Sequence, residues 1–301
     1  MKEYGLAVDG GGTFLKAALF SGQRMEKDTF FKVKACSDGR AEQIQEAFVS
    51  LGKEAKRLAK EHGGTVRAAG IAMPGPFDYR SGVSQMDHKF AAIKGKAIAP
   101  WLREELYDIP VFFGHDSTAF FRGGLLLSGL EGCRRSCGVT LGTGLRFAAR
   151  IDGRILQNAQ GGPGISLWNH PYREANAEHY ASRRAVIRFY EERGGDPGKD
   201  VYEISLLARA GDLAALAAFA ELGGHLGRIL QEVIAENGFE VLLLGGAIAK
   251  SADLLLPELC RVLKELERPP AVRAIERIDE APLYGAAVLC GQGDGKEEEW
   301  L

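Results

Sequence analysis

Metal-site spacing, a surplus of one charge and long apolar runs are all missing from this chain of 301 residues. Five cysteines are scattered at Cys36, Cys133, Cys137, Cys260 and Cys290. The nearest two, Cys133 and Cys137, lack the paired C-x-x-C spacing of a zinc site, so buried or free thiols are expected. Lys and Arg number 38 against 40 Asp and Glu. With no basic stripe, that balance argues against an electrostatic grip on nucleic acid or membrane and favours a small-molecule partner. Apolar runs such as Val241 to Ala249 are far too short to span a bilayer. No charged-then-apolar leader opens the sequence, so the expected location is the cytoplasm. Also absent are a glycine run that opens a helix and a Gly-Lys followed by Ser or Thr, which excludes a dinucleotide fingerprint and a P-loop.

What is present is organised around Asp9-Gly10-Gly11-Gly12-Thr13-Phe14-Leu15-Lys16. Apolar strand-like runs flank it, Tyr4 to Val8 before and Phe14 to Phe20 after, so the glycines fall at a hairpin tip. Successive glycines let backbone N–H groups approach an anion, Thr13 adds a hydroxyl, Lys16 a cation, and Asp9 a carboxylate that can face an accompanying metal ion. A plain tight turn, with Asp9 bonding its own backbone, is the competing reading.

Length and a 46% hydrophobic composition suit about two domains, each with its own core. A third strand is expected over 29–35, and apolar spacing predicts a helix over 40–62 that Gly63-Gly64 stops. The buried strand Val66 to Met73 ends in Pro74-Gly75-Pro76-Phe77-Asp78, a loop forced by two prolines. Asp87-His88-Lys89 either lines a cleft or is solvated. A short strand, Pro110 to Phe113, leads through Gly114-His115-Asp116-Ser117-Thr118 into a helix from Ala119. There Asp116 is either the helix N-cap or a carboxylate at a sheet edge where α/β proteins bind ligands. Strand, turn and strand then recur in Cys137 to Leu141, Gly142-Thr143-Gly144 and Leu145 to Ile151, so the second half restates the first: two α/β lobes whose glycine tips point into one cleft, suited to a polyphosphate. Gly161-Gly162-Pro163-Gly164 leads to His170 and to one helix over 177–193. Asp212 caps a long helix that stops at Asn237-Gly238. Val241 to Leu244 reads as a buried parallel strand that ends in Gly245-Gly246-Ala247, where a flat ligand can lie on the backbone.

These segments, in this order, resemble the ROK family of sugar kinases within the actin-like ATPase superfamily, over nearly the whole chain. Asp9 to Lys16 is similar to the family's first phosphate motif, Pro74 to Asp78 to its P-G-P-x-D loop, Asp116 to the aspartate of its N-D motif, Gly142-Thr143-Gly144 to the second phosphate motif, Gly245-Gly246 to the adenosine motif, and Ala281 to Leu289 to the closing helix. The resemblance implies a two-lobed, ribonuclease H-like α/β fold, with one lobe over 1–115, joined by 290–301, and the other over 116–289. It further implies an enzyme that uses ATP and Mg²⁺ to phosphorylate a hydroxyl of a hexose or amino sugar, and a homodimer. Asp116 is then the general base. Asp9, Gly11, Gly12, Thr13, Lys16, Gly142, Thr143, Gly144, Gly245 and Gly246 hold the nucleotide, with Mg²⁺ at Asp9 directly or through water. Pro74, Gly75, Asp78, His88, His115 and His170 form the sugar subsite.

Three departures qualify this. The N-D pair reads His115-Asp116; Leu145-Arg146 follows the second phosphate motif where glycines are usual, so Arg146 either clamps a phosphate or pairs on the surface. The E-x-G-H signature and the cysteine-rich zinc motif are missing, so no structural zinc is expected and His170 stands for the signature histidine, while a packed structural role remains its alternative. A DNA-binding repressor is disfavoured because the first strand begins by Tyr4. A non-catalytic sugar or nucleotide sensor, or an ATPase activator of the same superfamily, are the other readings.

Overall fold

The computed structural model describes residues 1–291, and the chain divides into two compact units. The first holds Met1–Glu131, takes back Gln157–Pro163 and resumes at Asp279; the second holds Gly132–Leu156 and Gly164–Ile278.

In the first unit, β1 (Lys2–Gly10) and β2 (Phe14–Ser21) form the expected hairpin with its glycine tip. Two short strands follow, β3 (Arg24–Met25) and β4 (Phe31–Lys34), the second inside the predicted range and the first unforeseen. Helix α1 (Ala41–Glu61) buries Ile44, Phe48, Leu51, Ala55 and Leu58, the stripe that its apolar spacing predicts. Next come β5 (Gly64–Met73), β6 (Phe77–Asp78), β7 (Val83–Ser84), α2 (Ala99–Leu106), β8 (Val111–His115) and α3 (Asp116–Leu127). The sheet order is β3-β2-β1-β5-β8, with β4 also on β2. Strands β1, β5 and β8 run parallel, so Asp9, Met73 and His115 come to their carboxyl ends, Asp9 beside Ala72 and Met73 beside His115.

The second unit repeats this plan. It contains β9 (Ser136–Leu141), β10 (Leu145–Ile151), β11 (Arg154–Ile155), β12 (Pro171–Tyr172), β13 (Ala175–Asn176), α4 (Ala177–Tyr180), α5 (Arg183–Glu191), α6 (Val201–Arg209), α7 (Leu213–Asn237), β14 (Val241–Gly245), α8 (Ala252–Leu263) and β15 (Ala271–Ala274). Its sheet order, β11-β10-β9-β14-β15, has the same antiparallel hairpin followed by two parallel additions. That correspondence bears out the duplicated α/β reading. Asp212 caps α7 through Ala215 N–H at 2.7 Å, and Gly238 closes it in the left-handed conformation. Helix α7 is long and apolar enough to cross a membrane, but 61% of its most apolar window is buried inside the protein, as in a core helix. Cys137 and Cys290 are buried in the two units, in keeping with core packing.

Two expectations about elements change. The single helix over 177–193 is two, α4 and α5, because Ser182 is extended and the amide of Arg183 donates to Gly142 O at 2.8 Å. The division at residue 115 moves as well: α3 and the last helix, α9 (Ala281–Leu289), both belong to the first unit. They pack backbone to backbone, since a Cβ on Gly123 would overlap the Ala281 carbonyl and one on Gly285 would overlap that of Ala119. Together they cover one sheet face through Ala7, Ala18, Phe20, Ala68 and Ala72. The expected association of 290–301 with this unit falls, from residue 292 onward, outside the described residues.

Candidate active site

In the first unit, three neighbouring strand ends bring candidate residues together. At the β1–β2 tip, Gly11 N–H is taken by Asp9 O and Phe14 O, both at 3.1 Å, whereas the amides of Gly12 and Thr13 meet no backbone acceptor among the described residues. Backbone N–H groups without a backbone acceptor at a glycine turn are the donors that phosphate-binding turns use. Lys16 lies across the hairpin from Asp9 in register, with Nζ 3.5 Å from Asp9 Oδ2. Burial pushes the Asp9 carboxyl above the usual aspartate range; Lys16 opposes this and the charge of Asp116 adds to it. Asp9 and Asp116 are therefore close enough to repel. A divalent cation fits such a place, because one or two carboxylates with water and nucleotide phosphates are its usual ligands. Among the described residues no group of three or more His, Cys, Asp or Glu forms an all-protein metal cage.

Asp116 opens α3 but does not cap it. The N-cap is His115, whose Nδ1 accepts the Ser117 N–H at 3.1 Å, and Asp116 Oδ1 accepts the same N–H at 2.6 Å. The capping alternative for Asp116 thus falls to its neighbour. Asp116 remains in the first turn, where the helix dipole favours a negative charge. Its carboxylate is more than a third exposed.

The P-G-P-x-D loop follows β5. Tyr79, directly after it, is buried with its hydroxyl donating to Met73 O at 3.1 Å, and a Cβ on Gly75 would lie 3.3 Å from that hydroxyl and 3.6 Å from His115 Nε2. Burial and the charge of Asp116 both push the Tyr79 phenol upward, so it stays a neutral donor. The returning segment docks here through Tyr79 N–H to Gln160 O at 3.0 Å, which brings Gly161 onto the Tyr79 side chain. Asp78 spends its carboxylate locally: Oδ1 accepts the amides of Arg80 and Ser81, and these bonds with the Ser81 hydroxyl hold its pKa below the usual range. His88 is exposed and 3.5 Å from Asp87.

The second unit carries the other glycine turn. Gly142 N–H closes on Gly144 O at 3.1 Å, and Thr143 is exposed at the tip. Glu178 braces it: Oε2 accepts Leu145 N–H at 3.0 Å and lies 3.4 Å from Arg146 Nη1, while Oε1 is 3.5 Å from Arg184 Nη2. Arg146 is thus held as a half-exposed surface pair. Gly245 pairs with Thr140 at the same sheet end, and Gly246 has φ +83°, where a Cβ would also strike the Leu141 carbonyl. His170 is exposed, with Nε2 3.9 Å from Glu232. A groove of about 390 Å³ beside α7, lined by Arg173, Arg193, Glu221, His225 and Arg228, includes none of the expected site residues.

Tyr79, Ser117 and Glu178 are the supporting residues that the sequence did not single out. For Ser117 and Tyr79 the signal is adjacency to Asp116 and to the proline loop. Glu178 falls in the stretch Ala177 to Ser182, which resembles the family's L-E-x-Y-x-S pattern, but its partner Leu145 stands 33 residues away, so its bracing role was not visible locally.

The ROK family model matches residues 5–292. Among curated relatives, the N-acetylgalactosamine kinase AgaK of Shewanella sp. (strain ANA-3) is 25% identical over 270 residues, 84% of this chain and 83% of that protein. The DNA-binding transcriptional repressor Mlc of Escherichia coli (strain K12) is 22% identical over 271 residues, 82% of this chain, which spans 64% of the repressor's length. Among solved structures, the ROK hexokinase from Thermus thermophilus superposes with a TM-score of 0.76 at 26% identity, covering 95% of this chain and 97% of that one. With its duplicated α/β units, glycine hairpins and strand-end aspartates, the chain belongs to the ROK family and has the two-lobed actin-like ATPase fold of its sugar kinases.

Proposed function

We propose that this protein is a kinase that transfers the γ-phosphoryl group of Mg-ATP to a hydroxyl of a hexose or amino sugar. The observation that carries the reading is the placing of Asp9, Asp116 and the donor amides of Gly12 and Thr13 around the carboxyl ends of adjacent parallel strands. That arrangement supplies what phosphoryl transfer needs from a protein: positioning, charge stabilisation and an acceptor for one proton.

In this reading Gly11, Gly12 and Thr13 hold phosphate oxygens by N–H donation, and Lys16 and Asp9 set the local charge. In the second unit, Gly142 to Gly144 are assigned phosphate contacts and Gly245-Gly246 the adenosine face. Bound Mg²⁺ would be held at Asp9, directly or through water, and would neutralise phosphate charge. Asp116 accepts the proton of the attacking hydroxyl. His115, Pro74, Gly75, Asp78, His88 and His170 are assigned to the sugar, with Asp78 acting through the shape of its turn. The relative AgaK, named for N-acetylgalactosamine, supports the amino-sugar class. The missing signature glutamate argues against glucose as the preferred substrate. A homodimer in the cytoplasm completes the proposal.

A non-catalytic sugar or nucleotide sensor is the second reading, favoured by the likeness to the repressor Mlc. ADP release from Mg-ATP, measured against a panel of hexoses, amino sugars and cyclitols, separates the two. Sugar-dependent release supports the kinase; sugar binding with no release on any member of the panel supports the sensor.

A further inference from the structure

We propose that Lys89 is the cation that holds the transferred phosphoryl group at the first glycine hairpin, an assignment that rests on the phosphoryl-transfer reading above. The loop that carries it is fixed at both ends. Met86 and Phe90 are fully buried, and Phe90, at φ +52°, donates its N–H to Ser37 O at 2.8 Å. Between these anchors Asp87, His88 and Lys89 are exposed.

The Lys89 stem lies across the hairpin tip. Its Cδ and Cε are each 3.7 Å from the point where a Gly12 Cβ would sit, with Ser37 Oγ 3.4 Å from the same point. Nζ is one C–N bond, about 1.5 Å, beyond Cε. The ammonium therefore reaches the same tip that presents the Gly12 and Thr13 amides.

Charge pairing separates the cations of this region. Asp87, the loop's carboxylate, lies 3.5 Å from His88 Nδ1 and 3.9 Å from Lys94 Nζ. Lys16 faces Asp9 at 3.5 Å. Lys89 is in no ion pair among the described residues, and its stem lies against Gly12, so its charge is available to an anion at the tip. Two N–H donors and a mobile ammonium around one point suit the oxygens of a terminal phosphoryl group, whose charge spreads over three equatorial positions during transfer.

In the step itself the sugar oxygen bonds to phosphorus as the bridge to the ADP oxygen breaks. The hydroxyl proton passes to Asp116, and Lys89 takes no part in the proton transfer. Lys89 thus discriminates a nucleotide that carries a γ-phosphate from one that does not.

The test is Lys89→Met in the full chain, with Lys89→Arg beside it, titrated calorimetrically with Mg²⁺ and either ADP or the analogue AMPPNP. Lys89 is exposed, so thermal unfolding of both variants is expected to match the parent. The expected result is an ADP affinity within about twofold of the parent, an AMPPNP affinity lower by about tenfold, the scale of one hydrogen bond to a charged group, and recovery of most of that loss in Lys89→Arg. AMPPNP and ADP affinities that both stay unchanged, or that fall equally, overturn the assignment. In that case sugar-dependent ADP release by the parent protein leaves the kinase reading standing, whereas a parent that binds neither nucleotide overturns both.

Discussion

His115 Nδ1 and Asp116 Oδ1 lie 2.9 Å apart and share one donor, the amide N–H of Ser117. The sharing separates two roles that the sequence had left on one residue. His115 occupies the cap position, and Asp116 is left in the first turn with its carboxylate turned partly to solvent.

Asp116→Asn is therefore expected to leave the fold intact. The amide oxygen of Asn can still accept the Ser117 N–H, and only the favourable charge at the helix start is lost, so stability should change by less than about 1 kcal/mol. As the base in phosphoryl transfer, the same carboxylate should be worth about a hundredfold or more in kcat. Thermal unfolding and steady-state turnover on one preparation check both statements. A near-normal kcat would remove Asp116 from the chemistry.

Asp9 should give a pH signature in the nucleotide-free protein. Its native pKa is raised above the unfolded value, chiefly by burial, so the native state binds this proton more tightly than the unfolded chain does. In the window from the ordinary aspartate value up to the raised native value, the native state carries more proton, and stability falls as pH rises. Above that window the deficit is constant. Asp9→Asn should be more stable than the parent at neutral pH and should lose this part of the acid dependence, while Mg-ATP, expected to stabilise the parent, should stabilise the variant far less. Urea unfolding at several pH values, with and without Mg-ATP, is the measurement; an unchanged pH profile would contradict the account of Asp9.

Around the second glycine turn the structure ranks two neighbours. Arg146 is about half exposed and paired with Glu178 at 3.4 Å, a setting in which an ion pair contributes about 0–1 kcal/mol. Arg146→Ala should change stability by no more than that and leave the KM for ATP within about twofold. Glu178→Ala is a different matter, since it strips the Leu145 N–H of its acceptor and should cost about 1–3 kcal/mol together with a raised KM for ATP. Equal effects of the two substitutions would show that the bracing role belongs to neither.

Legibility followed the range of the interaction that fixes each feature. The hairpin tips, the cap at Asp212 and the stop at Gly238 are set by a few adjacent residues, and all were readable. So was the duplication, because both halves need the same strand, glycine turn and strand. The unit boundary was not, since α3 and α9 meet through Gly123 and Gly285, residues 162 positions apart (285 minus 123) whose role is to have no side chain. The break between α4 and α5 was hidden for a related reason: the apolar stripe continues through it, and only the distant Gly142 carbonyl explains why Arg183 leaves the helical ladder. Glu178 and the position of Lys89 over Gly12 are likewise products of tertiary folding.

The departure at His115, where the family pattern has asparagine, gives the last prediction. Nδ1 is engaged at the start of α3 by Ser117 and Asp116, and Nε2 faces the P-G-P loop, 3.6 Å from the Cβ position of Gly75. The ring thus serves α3 with one nitrogen and offers the other to the proposed sugar subsite. Asparagine caps a helix as well as any residue, so His115→Asn should keep stability within about 0.5 kcal/mol. Its shorter amide, however, cannot place a polar atom where Nε2 stands. The KM for the preferred sugar should rise by about tenfold, the value of about one lost hydrogen bond, and the order of preference among sugars should change, while the KM for ATP stays where it was. If sugar preference and both constants are unchanged, the imidazole serves as a cap alone, and recognition at this loop rests on the backbone of Gly75 and the shape of the turn at Asp78.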